Sequence, residues 1–468
     1  MRTLSESYKD NVSYMNEALR VKESFDVLCK TLKVGDGELT LYYIDGFVKD
    51  AVMQKLMMHF QSRKTLPPTA REFMETAVPY VETDVSADVD LMIQMVMSGA
   101  TLLIGSSFGG DGIIIDSRTY PARETAEPEG DRVMMGARDG FVETLIFNTA
   151  LVRRRVRNPQ LTMTYMTVGS DSKTDVVVCY MADRADPKYV EYLKKKLMDV
   201  RTGALTVGHE SLAECLIPKR WYNPFPKIRT TERPDSAAAQ LLEGDVLIII
   251  DNTPQVMVLP STIFDFMQES NDYYFPPLTG TYIRIVRYAV FFLTLIITPI
   301  WLLMIKYPDF TPAWLEFALP KNTGQIPIIA QLLLVEFIID ALRLASLNTP
   351  NMLNNSLSIV GGLILGDFAV DVGWLIPEVI LYMSFVAIAN FTQRSYELGY
   401  AIKFLRILLL ISTAIFGIWG FAGGFAICIL LLATNSTVNG KRNYLYPLIP
   451  FNGRALATLL FRTRKRDV

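Results

Sequence analysis

Glu336, Asp340 and Arg343 stand in the apolar stretch Ile326 to Ala345, IPIIAQLLLVEFIIDALRLA, separated by four and then three positions. Helical geometry puts them on one stripe, opposite much of the Leu and Ile surface. At a bilayer centre each charge costs at least ~2.5 kcal/mol on insertion scales, so such groups turn toward polar surroundings or toward one another. Two chemistries fit. Repeated around a ring-shaped oligomer, the stripe makes acidic rings that concentrate cations and form an ion path. Within one chain, it makes a neutralising salt bridge that holds a helix bundle together. One arginine balances only one of two ionised carboxylates, and a protonated Asp or Glu removes that imbalance. Asp371 is the third candidate for the ion path, while Glu378, near the start of a span, also suits the membrane surface.

A second charged constellation combines Asp139 and Glu143 with the basic run Arg153, Arg154, Arg155 and Arg157. The run can bind anionic lipid headgroups at about 1 kcal/mol per charge near the surface; the alternative is a solvated or salt-bridged face. Asp139 and Glu143 lie four apart and precede the arginines, so they can pair with them along a helix or across a subunit boundary. In this reading the segment transmits movement between a soluble and a membrane region.

Other chemistries lack raw material. Cys29, Cys179, Cys215 and Cys428 are far apart and form no CxxC pair, so neither a zinc site nor a disulfide framework is expected, only reduced and mostly buried thiols. His59 and His209 are the two histidines, read as surface or cap residues, which leaves no metal site and no triad. The cluster Gly109-Gly110-Asp111-Gly112 lies between apolar strands and lacks the Lys-Ser/Thr of a phosphate loop, so it reads as a hairpin turn. Paired carboxylates without histidine, metal cluster or activated nucleophile argue against an enzyme, and no cofactor is expected. A secondary transporter and a purely structural scaffold remain as rivals to the channel.

The elements that carry these residues fall into two halves. The sequence has 468 residues, 50% hydrophobic and 20% charged, with 46 Lys and Arg against 48 Asp and Glu. That is too long for one ordinary domain, too apolar for a wholly soluble protein, and without the net charge of a nucleic-acid binder. The start, MRTLSESYKDNVSY, has charge where a signal peptide needs an apolar core, so the first region is expected to stay cytoplasmic.

Periodicity predicts a strand over Glu38 to Val48, helices over Lys49 to Gln61, Ala70 to Val81 and Asp88 to Met97, then strands Ala100 to Ile104 and Ile113 to Ile115. Beyond the polar stretch Arg118 to Asp131, strands are expected at Leu161 to Val168 and Val176 to Tyr180, a helix over Pro187 to Val200, and a final hairpin of Gly244 to Ile250 with Val256 to Leu259. This alternation suggests a small α/β sandwich. No internal repeat stands out in the residues.

Val286 to Ile305 holds twenty residues with one charge at its edge, enough for ~30 Å of helix. Pro299 is expected to kink it, and Arg284 with Arg287 favours a cytoplasmic start. Leu357 to Leu365 reads as a half-crossing and Trp374 to Phe391 as a full span. Ile407 to Ala433 follows Lys403 and Arg406 and is broken by Gly417, Gly420, Gly423 and Gly424, either one tilted crossing or a tight pair of short helices. The basic tail after Asn435 is expected inside, which requires an even number of crossings, four or six. The fold class expected is therefore an α/β cytoplasmic region of two small subdomains, 1–122 and 123–283, an all-α polytopic membrane domain, 284–434, and a basic cytoplasmic tail, 435–468.

Arg138-Asp139-Gly140-Phe141-Val142-Glu143, continued by Asn148-Thr149-Ala150-Leu151-Val152-Arg153-Arg154-Arg155, resembles the signature stretch of the GerA family of spore germination proteins. Thr231 to Asp235, Glu243-Gly244 with Asp251, Pro254 to Pro260 before Phe264-Asp265-Phe266, and Tyr273-Tyr274 extend the resemblance. Ala369 to Gly373, Pro377 to Tyr382 and Pro447 to Asn452 resemble a branch that assists germination more than the nutrient-sensing A subunits of germinant receptors. One departure is Gln393-Arg394, where related sequences usually carry a proline. The resemblance implies a multi-pass protein of the spore inner membrane in contact with membrane lipid. It further implies a membrane domain that assembles as a homo-oligomeric ion channel, with a small membrane partner protein and germinant receptors as its associates and no nucleic acid.

Overall fold

A computed structural model describes residues 3–120, 136–217, 222–269, 271–322, 324–348, 369–440 and 443–462. The chain forms two compact units, one of Met1–Lys219 with Ile228–Pro260, the other of Arg220–Lys227 with Ser261–Val468.

The first unit runs through one series of elements twice. The first pass is α1 (Tyr8–Ala18), β1 (Val27–Val34), β2 (Gly37–Ile44), α2 (Asp50–Gln61), α3 (Ala70–Ala77), β3 (Thr83–Ser86), α4 (Val89–Met97), β4 (Thr101–Gly105) and β5 (Gly112–Ile115). The second is α5 (Leu145–Arg155), β6 (Leu161–Val168), β7 (Thr174–Met181), α6 (Pro187–Met198), α7 (His209–Leu216), β8 (Arg229–Thr231), α8 (Pro234–Glu243), β9 (Val246–Ile250) and β10 (Val256–Leu259). Each pass folds into a five-stranded sheet, ordered β1-β2-β4-β5-β3 and β6-β7-β9-β10-β8, with every neighbouring pair antiparallel. The repeat that the residues hide is thus plain in the topology.

One side-chain device recurs with it. Asn11 accepts from the Ser5 N–H at 2.8 Å and donates to the Ser5 carbonyl at 2.7 Å. Asn148 does the same to Val142, at 2.8 and 2.5 Å. In both cases an asparagine on the helix clamps the backbone six positions earlier, two residues before the N-cap, pairing both its donor and its acceptor.

The first sheet is covered on both faces, which explains its unbroken apolar runs. Leu102, Ile104 and Ile114 face one cluster with Met15, Val96 and Met97, while Leu103, Ile113 and Ile115 face another with Met53, Phe60 and Phe73. The predicted glycine turn is there, joining β4 to β5, with Gly109 at φ 61°.

The second unit is helical: α9 (Asn271–Tyr274), α10 (Pro277–Lys306), α11 (Ile328–Asn348), α12 (Ala369–Asp371), α13 (Pro377–Phe391), α14 (Tyr396–Ala433) and α15 (Gly453–Leu460). Two of these, α10 and α14, are long and apolar enough to cross a membrane. The 30 residues of α10 give ~45 Å of helix, longer than the expected span. The 15 residues of α13 fall short of the ~20 that a full span needs. The proposed half-crossing Leu357 to Leu365 lies outside the described residues, as does most of the basic tail's charge.

The alternatives left open for Ile407 to Ala433 resolve into the tight pair. Helical geometry fails at Gly417, φ 61° and ψ −133°, and the chain folds back there. Gly420 packs directly on the Ser412 carbonyl and Gly424 lies 3.1 Å, measured from an ideal Cβ, from Leu409, so only glycine allows the two arms so close. The first arm starts earlier than the apolar run suggested. Ser395 caps it by accepting from the Leu398 N–H at 3.2 Å, so Lys403 and Arg406 stand inside the helix. Although Gln393-Arg394 stands where related sequences usually carry a proline, a break between helices is present there: α13 ends at Phe391 and Ser395 caps the next helix.

Contacts fix the directions of the arms. The first arm of α14 runs parallel to α10: Arg406 donates to the Thr294 carbonyl at 3.2 Å and Lys306 to the Ala414 carbonyl at 2.7 Å. The helices α11 and α13 also run parallel, with Gln331 accepting from the Ile376 N–H at 3.0 Å near their starts and Arg343 over Phe391 near their ends. Ala369, bonded to Trp374 and Leu375, and Asn348 therefore stand at opposite ends of the bundle.

Candidate functional site

The predicted stripe on α11 brings two of its three members together with cations from another helix. Glu336 accepts from Arg406 at 2.6 Å and lies 3.5 Å from the Lys403 ammonium. Asp340 is bonded to Lys403. Glu336, Lys403 and Arg406 are buried, whereas Asp340 is one-third exposed at its side chain. Arg406 also holds the Thr294 carbonyl, so α10, α11 and α14 meet at this cluster.

Arg343, expected to balance a carboxylate, is not among the partners of Glu336 or Asp340. Its guanidinium lies over three rings, 5.5 Å from Phe391, 5.3 Å from Tyr396 and 5.6 Å from Tyr400. Cation–π attraction holds it there, and it grows as the charge loses water. Asp371 is exposed at the end of α12 and takes no part in the cluster, and Glu378 sits in the first turn of α13.

Sequence reasoning treated Lys403 and Arg406 as charges flanking the last apolar run. Their spacing of three, matching that of residues on one helical face, was the available signal. What hid it was the helix start, set by the Ser395 cap rather than by hydropathy.

Arg284 and Arg287, expected to mark a cytoplasmic start of the span, lie buried around Asp272: Arg287 bonds it at 2.7 and 2.9 Å and reaches Glu269 at 2.6 Å, while Arg284 is 3.4 Å away. The start of α10 is therefore locked by an internal ion-pair network.

The signature segment of the α/β unit separates into distinct roles. Arg153 is fully buried and grips Asp26 through two bonds of 2.7 and 2.9 Å, with Ser24, Asn158 and Leu161 completing its donors. It thereby pins α5 of the second pass to the start of β1 in the first. Both Asp139 carboxylate oxygens accept from one Arg155 nitrogen at 2.6 Å; Asp139 precedes α5, so the pair bridges loop to helix rather than running along a helix. The Glu143 side chain is exposed, and its part is the backbone carbonyl that accepts from Asn252 at 2.8 Å. Arg154 is exposed and stacks on Tyr120 at 4.5 Å, with Arg157 at 6.0 Å on the same ring.

Among the described residues no group of three or more His, Cys, Asp or Glu could hold a metal ion. The four thiols are free: Cys179 and Cys428 buried, Cys29 half-buried, and Cys215 exposed. Burial pushes the Cys179 and Cys29 thiols up, away from the reactive thiolate. His59 is exposed in the last turn of α2, and His209 opens α7 within 3.3 Å of Thr253. Burial holds the His209 imidazole below its usual range.

A duplicated antiparallel α/β unit joined to an apolar helical unit with charges inside defines the class, and residues 13–467 match the model of the Bacillus/Clostridium GerA spore germination protein. The chain belongs to the GerA family. It is 38% identical to stage V sporulation protein AF of Bacillus subtilis, over 97% of this chain and 92% of that one. It is 27% identical to spore germination protein KA of Bacillus subtilis, over 94% of this chain and 82% of that one. A solved structure, the N-terminal domain of the A subunit of the Bacillus megaterium spore germinant receptor GerK3, aligns with TM-score 0.39 and 22% identity, covering 55% of this chain and 96% of that one.

Proposed function

We propose that this protein assists spore germination as a multi-pass protein of the spore inner membrane, forming an ion path as a homo-oligomer together with a small membrane partner. The observation that carries the reading is the inverted polarity of the helical unit. Glu336, Lys403 and Arg406 are buried while Phe292, Phe337, Ile388, Ile415 and Leu430 are exposed. In water that distribution is unfavourable on both counts; in lipid it is the favoured one.

Alternating helix directions support a multi-pass arrangement. Of five arms, α10 and the first arm of α14 run one way, and α11, α13 and the second arm run the other. In this reading the crossings number four or six, an even count that keeps both the α/β unit and the basic tail on the cytoplasmic side.

In this account Glu336 and Asp340 line the ion path, with Asp371 at its exposed end. The segment holding Asp139, Glu143, Arg153, Arg154 and Arg155 couples the α/β unit to its surroundings, the exposed Arg154 being its contact residue. The role is conduction rather than catalysis. Greater identity to the stage V protein than to the KA protein supports an assisting role over nutrient sensing.

Single-channel recording of the full-length protein in potassium tests the reading: wild type is expected to conduct the ion and Glu336→Gln/Asp340→Asn to show a much smaller unitary conductance. An equal unitary conductance in both would remove these carboxylates from the path. Charge reversal at Arg154 is expected to slow germination without lowering protein level, and germination at the wild-type rate would end its coupling role.

A further inference from the structure

We infer that Lys403 and Arg406 are the counter-charges that keep this path shut, and that conduction requires the first arm of α14 to part from α11. The inference rests on the ion-path reading and adds its closing device.

Glu336 and Asp340 lie one helical turn apart on α11, and Lys403 and Arg406 nearly one turn apart on α14. The four meet as two anions against two cations, so the cluster carries no net charge to draw a passing cation. A tethered ammonium competes with a dissolved cation at high effective concentration, and in a low-dielectric bundle the tethered group wins. Carboxylates held in this way do not conduct until their counter-charges leave.

The cluster is also built to part. The Glu336 Oε2 and Arg406 Nε atoms are buried without a hydrogen-bond partner, and bare polar atoms make the closed arrangement less stable than a fully satisfied one. Its edge is open at the Asp340 side chain, one-third exposed beside Lys403. The arm that carries both cations lies between the connection after Phe391 and the Gly417 turn, which lets it move as a rigid element.

Single-channel recording of the full-length protein in planar bilayers separates a latch from a path residue. Lys403→Gln is expected to raise open probability about tenfold with unitary conductance unchanged. Lys403→Glu should raise it further, and Lys403→Arg should bring it back toward wild type. Should Lys403→Gln fail to fold, Asp340→Asn breaks the same contact from the other side; it must raise open probability while lowering unitary cation conductance. Wild-type openings with no change in Lys403→Gln and Lys403→Glu would overturn the latch and leave the ion path standing. Lys403→Arg as open as Lys403→Gln would also overturn it, because size rather than charge would then govern. Absence of openings in wild type and every variant would overturn the path and the latch together.

Discussion

Arg153 and Arg154 are neighbours in sequence with opposite surroundings. Arg153 is sealed against Asp26, while Arg154 is exposed against one ring. Removing one partner of a buried pair strands the other charge, so Arg153→Leu should cost about 3–5 kcal/mol, whereas Arg154→Ala should stay within about 0.5 kcal/mol. Asp26→Leu with Arg153→Leu should recover much of the loss, since two apolar side chains leave no charge unpaired. Hydrogen exchange of the β1 and β6 amides in the full-length protein reads all three, and a cost below about 1 kcal/mol for Arg153→Leu would deny its pinning role. The basic run was legible in the residues, but which arginine is buried was not, because the deciding Asp26 lies 127 positions away. The membrane carboxylates behave alike: Glu336 and Asp340 stood out at once, yet their partners are 70 and 63 positions distant.

Elements show where periodicity suffices. The strand Leu161–Val168 and the hairpin partner Val256–Leu259 match expectation, since uninterrupted β-branched and apolar residues end at clear turn signals. The short β8 and the half-polar β1 escaped, because tertiary pairing rather than pattern makes them strands. The duplication escaped for a related reason: topology repeats while residue types do not, apart from such marks as Asn11 and Asn148. In the apolar hairpin the glycines divide sharply. A Cβ at Gly420 runs into the Ser412 carbonyl, but one at Gly423 meets nothing within 4 Å. Gly420→Ala should therefore lower the melting temperature of the detergent-solubilised protein by several degrees, on the order of 1–3 kcal/mol, while Gly423→Ala should leave it unchanged. Equal melting of the two variants would contradict the hairpin.

For the whole molecule, the inverted polarity of the helical unit and the proposed even number of crossings make two demands. Protease sites placed at the N-terminus and after Phe461 should be cut together, from the cytoplasmic side of oriented vesicles, and cutting from opposite sides would break the parity. Conduction is the more direct demand. The decisive measurement is the reversal potential of full-length protein across a bilayer with unequal potassium chloride, for wild type and for Glu336→Gln/Asp340→Asn. A carboxylate-lined path predicts a wild-type potential near that of potassium and a shift toward zero, with smaller unitary current, in the double variant. A wild-type potential at zero or toward that of chloride would contradict it.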